Sequence, residues 1–420
     1  MKSIVFWLCL LGSLCPSVAQ TVMPVPRLVG QDGMIHRFFD TSPISPSGRY
    51  IALFKLPYED KAPRAGDAGK VVVLRLSDLT PVAQVPTLGW EMQLGANVQW
   101  GSTDESLFYN DVDTVTWEAY AVEFNFKTGR KRRLGGTVFM VSPDGKRLAS
   151  HNLYKSRFAQ VGYGVVVPTA QRNVGVPEDD GIFITDVESS QCRLIASISD
   201  IYTLARPALH VDTPEQYEFY CFQVKWNPQG TRLLATIQWT PRKGGERRRA
   251  VVTMNADGTD IRTAITPEQW ACGGHHVNWM PDGKYLSMNL NIDDDPELEL
   301  VCVRYDGSGL RQIYPSGSGH PSLHPGGLPW VITDAYAGEM PLPDGMTPLR
   351  LINLESQTEV IAARVPLPDI RNFELRIDAH PAWDRSGRYV VYNACKDGKR
   401  CVYLLDVSGW VQNGKTGKGQ

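Results

Sequence analysis

The sequence has almost no net charge, because 43 lysines and arginines oppose 45 aspartates and glutamates, leaving a formal value of −2. It therefore lacks the basic field with which nucleic-acid-binding proteins attract phosphate, and we predict no nucleic-acid partner. Phosphate-loop, zinc-finger and G-x-S-x-G motifs are missing too. Their absence argues against nucleotide chemistry, a structural zinc finger and a serine hydrolase.

Long apolar segments are also scarce. Residues 4–14 form an apolar run that is too short to span a membrane, and no other stretch approaches transmembrane length. This run follows Lys2 and precedes the small residues of "SVA" (17–19), the pattern of a secretory signal peptide cleaved after Ala19. We predict a signal peptide at residues 1–19, a secreted or periplasmic protein and no membrane span.

Few cysteines remain once Cys9 and Cys15 leave with the signal peptide. The six that follow are Cys192, Cys221, Cys272, Cys302, Cys395 and Cys401. An oxidising compartment permits disulfides among them. Only "CKDGKRC" (395–401) offers a local argument, since an Asp-Gly hairpin tip would let Cys395 face Cys401 across the ladder.

Turn-forming and aromatic residues, by contrast, are plentiful: 38 glycines, 29 prolines, 11 tryptophans and 16 tyrosines favour many short strands. One unit, a Pro-Asp-Gly-like turn followed by an apolar strand, recurs seven times, the second copy being degenerate. The copies are "SPSGRYIALF" (45–54), "STDESLFYND" (102–111), "SPDGKRLASH" (142–151), "NPQGTRLLAT" (227–236), "MPDGKYLSMN" (280–289), "HPGGLPWVIT" (324–333) and "DRSGRYVVYN" (384–393). A second strand–turn–strand feature, such as "AVEFNFKTGRKRRL", lies between successive copies. Two hairpins per unit predict an all-β, seven-bladed β-propeller of four-stranded antiparallel blades.

The predicted propeller is a single domain covering residues 20–410. Its last unit stops after "CVYLLDVSGW", one strand short of a full blade. We expect the segment around "MPVPRLVG" to supply that outer strand and to close the ring, which removes exposed sheet edges. Residues 411–420 have nothing to bury and are predicted to be a disordered tail.

Four consecutive units carry a polar side chain at one structural position, seven residues before the turn glycine. These residues are Gln223, His276, His320 and His380. The first three units have Thr41, Val98 and Val138 there, which are poor metal ligands. Inner strands of a propeller surround the central channel, so equivalent positions on neighbouring blades should lie close together. Imidazole nitrogens and an amide oxygen suit a divalent cation such as Mn²⁺ or Zn²⁺.

A structural explanation competes with the metal site. Histidines in His-Pro-x-Trp strands of non-enzymatic propellers cap or pack against the next blade, and the three histidines could do the same. The adjacent His275 is expected to point to the opposite face of its strand.

The chain resembles the seven-bladed propeller polysaccharide lyases, above all the oligogalacturonate lyases and next the ulvan lyases. It also resembles TolB-like propellers, which share the "SPDGKRLA" unit. The resemblance rests on "GHHVNWMPDG", "GSGHPSLHPGG…TDAY" and "AHPAWDRSGRYVVYN". In the oligogalacturonate lyases three histidines and a glutamine hold manganese, which implies Mn²⁺ on His276, His320, His380 and Gln223, with Zn²⁺ or Ca²⁺ as alternatives.

The resemblance implies metal-assisted β-elimination on an acidic polysaccharide or oligosaccharide. Such an enzyme removes the proton at C5 of a uronate and expels the oxygen at C4, which requires neutralisation of the carboxylate and a base. The candidates for base and clamp are His151, Arg157, Tyr163, Arg232 and Tyr336. Each also has a structural explanation: Tyr163 could pack in a tight turn, Arg232 could occupy a common basic position after blade turns, and Tyr336 could cover the core.

Two other functions stay open at this point. A non-catalytic TolB-like propeller would bind a protein or glycan partner in the periplasm, without a stoichiometric metal. A glycoside hydrolase would need paired carboxylates facing the channel, which the aligned inner positions do not offer. We expect a monomer in either case.

Overall fold

The computed structural model describes residues 24–293, 297–368, 370 and 372–413. Within them, seven four-stranded antiparallel sheets surround a central channel. The prediction of an all-β, seven-bladed propeller is confirmed. The recurring turn fixes each inner hairpin, because its glycine adopts a left-handed φ in six blades, as at Gly283 (+64°).

The strands of each blade follow one another outward from the channel. In blades one to three they are Met34–Ile35, Tyr50–Lys55, Gly69–Arg75 and Pro81–Thr87; Gln99–Trp100, Leu107–Val112, Ala119–Asn125 and Arg130–Arg133; and Met140–Val141, Arg147–His151, Gly181–Asp186 and Cys192–Ser197. In blades four and five they are Tyr217–Trp226, Arg232–Pro241, Arg248–Asn255 and Arg262–Ile265; and Gly274–Trp279, Tyr285–Leu290, Glu299–Arg304 and Arg311–Tyr314. In blades six and seven they are Ser322–Leu323, Trp330–Thr333, Thr347–Asn353 and Thr358–Val365; and Ala382–Trp383, Tyr389–Lys396, Lys399–Asp406 and Arg27–Gly30.

Helices are short and lie between strands or at the C-terminal end. The α-helices of the described residues are Ser156–Ala159, Ile198–Leu204, Pro267–Ala271 and Ser408–Asn413, and a 3₁₀ turn covers Pro214–Gln216. None of these helices has the length and apolar character that crossing a membrane would require.

The N-terminal strand closes the ring as predicted. Arg27–Gly30 pairs antiparallel with Lys399–Asp406 and forms the outer strand of blade seven. The helix Ser408–Asn413 follows this blade and extends beyond residue 410, and its residue Val411 is buried against the last blade. The predicted signal peptide (1–19) and the last seven residues of the predicted tail lie outside the described residues.

The predicted Cys395–Cys401 disulfide is wrong. Both cysteines are free, and the hairpin register pairs Cys395 with Arg400 and Cys401 with Ala394. The two thiols therefore point to opposite faces of the sheet, because side chains alternate along a strand.

Tryptophans on the inner strands join neighbouring blades. The indole N–H groups of Trp100, Trp279 and Trp383 donate to backbone carbonyls of an adjacent blade over 2.8, 3.1 and 2.9 Å. All three side chains are buried. Each one thus contributes apolar area and a satisfied polar group at the seam between two sheets.

Residues 36–43 interrupt the inner strand of blade one and enter the channel. Met34–Ile35 pairs with one end of Tyr50–Lys55, and pairing resumes only with the bridge between Ile44 and Ile51. We call residues 36–43 the channel plug. The two cavities at the ends of the channel share no lining residue, so the plug separates them.

Candidate functional site

The polar position found in the sequence coincides with a local break in the inner strands. Gln223, His276 and His380 have left-handed φ values of +55°, +61° and +49°. In blades four and five the ladder register shifts at this point, which marks a β-bulge. Bulges re-aim side chains, and non-glycine residues with positive φ concentrate at functional sites, where the fold offsets their strain.

In blade six the left-handed residue comes one position earlier, at Gly319 (φ +61°). A Cβ atom there would lie 2.2 Å from the backbone oxygen of Asp334, so no other residue fits without rearrangement. This glycine brings the backbone of His320 against Asp334, whose Oδ1 accepts from the His320 amide over 2.6 Å.

Four imidazoles from blades five to seven contact one another at the channel in edge-on or tilted arrangements. Ring centroids are 4.7 Å apart for His275 and His276, 3.9 Å for His276 and His320, and 4.4 Å for His320 and His380. We call these four side chains the imidazole cluster. His320 and His380 are at most 1% exposed, whereas the first two histidines are half-buried.

Hydrogen bonds orient two of the rings. Asp334 accepts from Nδ1 of His320 at 3.0 Å, and since a carboxylate can only accept, the lone pair of this imidazole is on Nε2. The Tyr336 hydroxyl hydrogen-bonds with Nε2 of His276. These contacts resemble the outer shell of a metal site, where a carboxylate fixes the tautomer of a ligating histidine.

The cluster keeps polar atoms that no described residue satisfies. The buried nitrogens without a hydrogen-bond partner are His275 Nε2, His276 Nδ1, His320 Nε2, and both Nδ1 and Nε2 of His380. Buried polar atoms normally have hydrogen-bond partners, so several unpartnered nitrogens close together indicate a site for a bound ligand or ion. Asp378 adds a charge, since ligand atoms of His320, Asp378 and His380 lie within 4.8 Å of one another.

This donor set fits a divalent cation, because imidazole nitrogens and a carboxylate oxygen are ligands for Mn²⁺ and Zn²⁺. The protonation state fits as well. Burial lowers the pKa of His275 to about 3, and burial together with His320 lowers the pKa of His276 and of His380 well below the usual value. These three rings are therefore neutral near pH 7, as metal ligation requires.

Two aromatic rings of the plug form the floor of the cluster. Phe38 packs edge-on against His380 with centroids 4.7 Å apart, and Phe39 lies 5.6 Å from His320. Both phenyl rings are at most 1% exposed. This apolar floor keeps water from reaching the imidazoles from below, which strengthens electrostatic interactions in the site.

A buried ion network holds the plug in place. Asp40 pairs with Arg37 of the plug and with Lys225 of blade four, whose Nζ lies 3.1 Å from Asp40 Oδ2. Burial alone would raise the pKa of Asp40, but Arg37 and Lys225 outweigh it and hold that pKa below its usual value. Lys225 also donates to the carbonyl of Val277 over 2.9 Å, which links the plug to the strand carrying the histidines.

A cavity of about 190 Å³ opens above the cluster. We call it the histidine cavity. The side chains that line it and can contact a ligand are Gln160, Tyr163, Gln223, Thr236, Gln238, Arg249, Trp270, His275, His276, Tyr336, Phe373 and Arg376. It thus combines polar side chains with aromatic walls.

The two arginines of the cavity differ in their partners. Arg376 Nε donates to Asp378 at 2.7 Å, and its Nη2 donates to the Tyr163 hydroxyl at 3.1 Å. Arg249 forms no ion pair with any described carboxylate; its guanidinium lies 5.8 Å from the Trp270 ring. Burial and the neighbouring Arg247 lower the pKa of Arg249. The cavity therefore contains a positive charge that a ligand could neutralise.

The tyrosines are held in their neutral form. Burial raises the pKa of Tyr163 to about 12, and burial together with Asp378 raises that of Tyr336 well above its usual value. Both hydroxyls can therefore donate protons or hydrogen bonds at neutral pH.

The structure brings most of the predicted metal set together. His276, His320 and His380 contact one another as described, and Gln223 lines the same cavity as His276. Among histidine, cysteine and carboxylate side chains, however, the group whose ligand atoms lie close enough for a metal contains Asp378 and not His276. The ligand roles of Gln223 and His276 stay predictions. Thr41 of the first unit lies in the plug, where its hydroxyl accepts from Arg37.

The predicted catalytic residues fall into two groups. Tyr163 and Tyr336 line the cavity. His151 is buried behind the wall, bonded to Ser156 at 2.9 Å and packed on Phe222. Arg157 and Arg232, like His151, do not line the cavity.

Arg157 is an exposed residue of the helix Ser156–Ala159. Arg232 pairs with Asp260 at 2.9 Å and stacks on Tyr305 within 4.1 Å, at the opposite end of its strand from the cavity.

The expected orientation of His275 is wrong. The bulge at His276 breaks the alternation, so both rings face the cavity. Sequence reasoning also missed Asp334, Arg376 and Asp378. Two signals pointed to them: Asp334 stands in the "TDAY" segment with Tyr336, and Asp378 lies two residues before His380.

These features define the chain as a seven-bladed propeller with a histidine-lined cavity at one end of its channel. No family model matches the sequence, and no curated protein does. Among solved structures, the fold is similar to an oligogalacturonate lyase in complex with manganese, with a TM-score of 0.59 and 13% identity over 90% of this chain and 92% of that one.

An oligogalacturonate lyase from Vibrio parahaemolyticus gives a TM-score of 0.57 and 12% identity, covering 90% of this chain and 91% of that one. TolB from Acinetobacter baumannii gives a TM-score of only 0.40 with 10% identity over 87% of this chain and 83% of that one. At these identities the likeness concerns the fold alone.

Proposed function

We propose that this protein is a lyase that cleaves uronate-containing oligosaccharides by β-elimination, with a divalent cation at the imidazole cluster. One observation carries the proposal: a single cavity is lined by His275 and His276 of the cluster and by Arg249, a cation without an ion-pair partner among the described residues. The likeness to the oligogalacturonate lyases supports it at the level of the fold.

β-Elimination begins with the proton at C5, which is weakly acidic while the adjacent carboxylate keeps its full charge. Arg249 is the group that binds this carboxylate, because its guanidinium faces the cavity without a counter-ion. A cation held by His320, Asp378 and His380 would act as a Lewis acid that withdraws further charge.

Proton transfer falls to the residues at the wall. His275 is neutral, but the side-chain amide nitrogen of Asn289 faces its Nδ1 at 3.3 Å and can only donate, so the proton of the ring is on Nε2. His275 can accept the C5 proton at Nε2 only after a shift to the other tautomer, with loss of that hydrogen bond, and an anionic sugar beside it favours the charged imidazolium. Tyr336 keeps its proton at neutral pH and is oriented by His276. It can therefore donate to the departing oxygen at C4.

Aromatic walls supply the platform for the sugar ring. Trp270 is 8% exposed and Phe373 is 50% exposed, and both line the cavity. The guanidinium of Arg376 lies 3.9 Å from the Phe373 ring and restricts it. Flat, rigid side chains bind the apolar face of a sugar at low entropic cost.

The test is formation of the unsaturated uronate, followed by absorbance, on a panel of galacturonate oligomers and ulvan. We expect activity with Mn²⁺ that chelation and His320→Ala abolish, whereas His210→Ala, at a 77% exposed side chain, leaves it intact. No absorbance change on any substrate of the panel would contradict the proposal. It would favour the non-catalytic alternative if the protein also contained no metal.

A further inference from the structure

A second cleft adjoins the histidine cavity. It has a volume of about 290 Å³ and shares Arg249, Trp270 and Gly274 with that cavity. Its own outer wall includes Arg247, one residue before the strand Arg248–Asn255. We call this space the arginine cleft. A ligand that fills the histidine cavity can thus continue into the cleft past Trp270.

Three arginines line the cleft, the exposed Arg248 and the less exposed Arg247 and Arg249. Arg247 and Arg249 lie two residues apart, both are half-buried, and neither forms an ion pair with a described carboxylate. Glu246 and Glu268 also line the cleft, but both are exposed and neither forms an ion pair with these arginines. Burying two like charges side by side is unfavourable unless an anion binds between or beside them.

Arg247 is also held in place. Its Nη1 donates to Oε1 of Gln160 over 2.8 Å, and Gln160 belongs to the wall of the histidine cavity. A guanidinium fixed by one hydrogen bond keeps the remaining donors of its planar fork for a ligand, and this geometry suits a carboxylate.

We infer that the arginine cleft binds the carboxylate of the sugar next to the one that is cleaved, with Arg247 as its specificity-determining residue. This inference rests on the proposed function and extends it: the substrate is an acidic oligosaccharide with at least two consecutive uronates. A neutral sugar at the second position leaves the two arginines uncompensated and binds less tightly.

The experiment compares cleavage of trigalacturonate with that of its methyl-esterified form, in the wild type, Arg247→Gln and Arg242→Gln. Arg242 is exposed on the same hairpin and lines neither cavity, so it is a matched control for the change in charge. We expect Arg247→Gln to raise KM for trigalacturonate about tenfold with kcat nearly unchanged, since a charged hydrogen bond to a non-reacting part of the substrate is lost. Esterification should raise the wild-type KM by at least as much, because the carboxylate that binds Arg249 is lost as well, and Arg247→Lys should restore part of the affinity for trigalacturonate.

Equal KM values for active Arg247→Gln, Arg242→Gln and wild-type proteins would overturn the inference and leave the proposed function standing. If the wild type does not cleave trigalacturonate, titration calorimetry with the same sugar decides. Binding that weakens about tenfold in Arg247→Gln alone would sustain the cleft and refute the lyase. No binding by the wild type would overturn both.

Discussion

Asp334 gives the sharpest test of how the imidazole cluster is organised. Its carboxylate accepts from Nδ1 of His320 at 3.0 Å and from the backbone amide of the same residue at 2.6 Å. The first contact places the proton of His320 on Nδ1 and leaves Nε2 unprotonated, facing the other imidazoles. Asp334→Asn keeps Oδ1, which faces both the amide and Nδ1, but makes it a weaker, uncharged acceptor and replaces Oδ2, 3.1 Å from Nδ1, with an N–H donor.

The substituted amide favours the other tautomer, in which Nδ1 accepts and Nε2 carries the proton. A protonated Nε2 cannot bind a metal, so each binding event must first reverse the tautomer and lose the hydrogen bond. Loss of such an orienting partner typically weakens metal affinity about 10–100-fold, or roughly 1.4–2.7 kcal/mol. We expect Asp334→Asn to fall in this range.

The assay is titration of the metal-free protein with Mn²⁺, combined with chemical denaturation of the metal-free form. Asp384→Asn is the control, because this buried carboxylate caps the turn of blade seven through the amides of Arg388 and Tyr389 and is not a member of the candidate metal group. It should lower stability without weakening Mn²⁺ binding. Affinity within twofold of the wild type in Asp334→Asn would refute the assignment of the tautomer.

Two further predictions concern stability. Lys225→Met removes one member of the buried ion pair with Asp40 and should lower the free energy of unfolding by about 3 kcal/mol, because Asp40 loses a partner in the interior. The control is Arg388→Gln, in an ion pair whose arginine is 55% exposed, and it should lower the free energy of unfolding by about 1 kcal/mol or less. Equal losses in urea denaturation would contradict the network that holds the plug. His151 has a pKa lowered to about 3 by burial, so below its ordinary value of 6.5 the unfolded chain binds a proton that the folded chain does not. The contribution of His151 to the free energy of unfolding is therefore fully present above pH 6.5 and decreases as the pH falls toward 3. At pH 5 the decrease is about 2 kcal/mol. Between pH 7.5 and pH 5, the free energy of unfolding of His151→Gln should decrease by about 2 kcal/mol less than that of the wild type. An equal decrease in the two proteins would refute the role of His151.

The repeat of turns and alternating strands predicted the blades, because each blade is defined by contacts local in the sequence. The same alignment placed Gln223, His276, His320 and His380 at the channel, since a common offset in a repeated unit means a common place in the ring. The ring closure by Arg27–Gly30 followed from counting strands.

What the sequence did not reveal depends on irregular backbone and long-range contacts. The plug at residues 36–43 is an insertion within one inner strand, and only the assembled ring shows that Phe38 and Phe39 lie beneath the imidazoles. The orientation of His275 depends on a bulge, which no period-two pattern can predict. The separation of Cys395 from Cys401 depends on a register one residue away from the expected one.

The central claim is that the imidazole cluster binds a divalent cation. Elemental analysis of protein dialysed against Mn²⁺ and then against metal-free buffer tests it without any knowledge of the substrate. We expect about one ion per chain in the wild type and in His210→Ala, and almost none in His320→Ala or Asp378→Asn. A wild-type protein that emerges free of metal, or variants that keep the ion, would contradict the account.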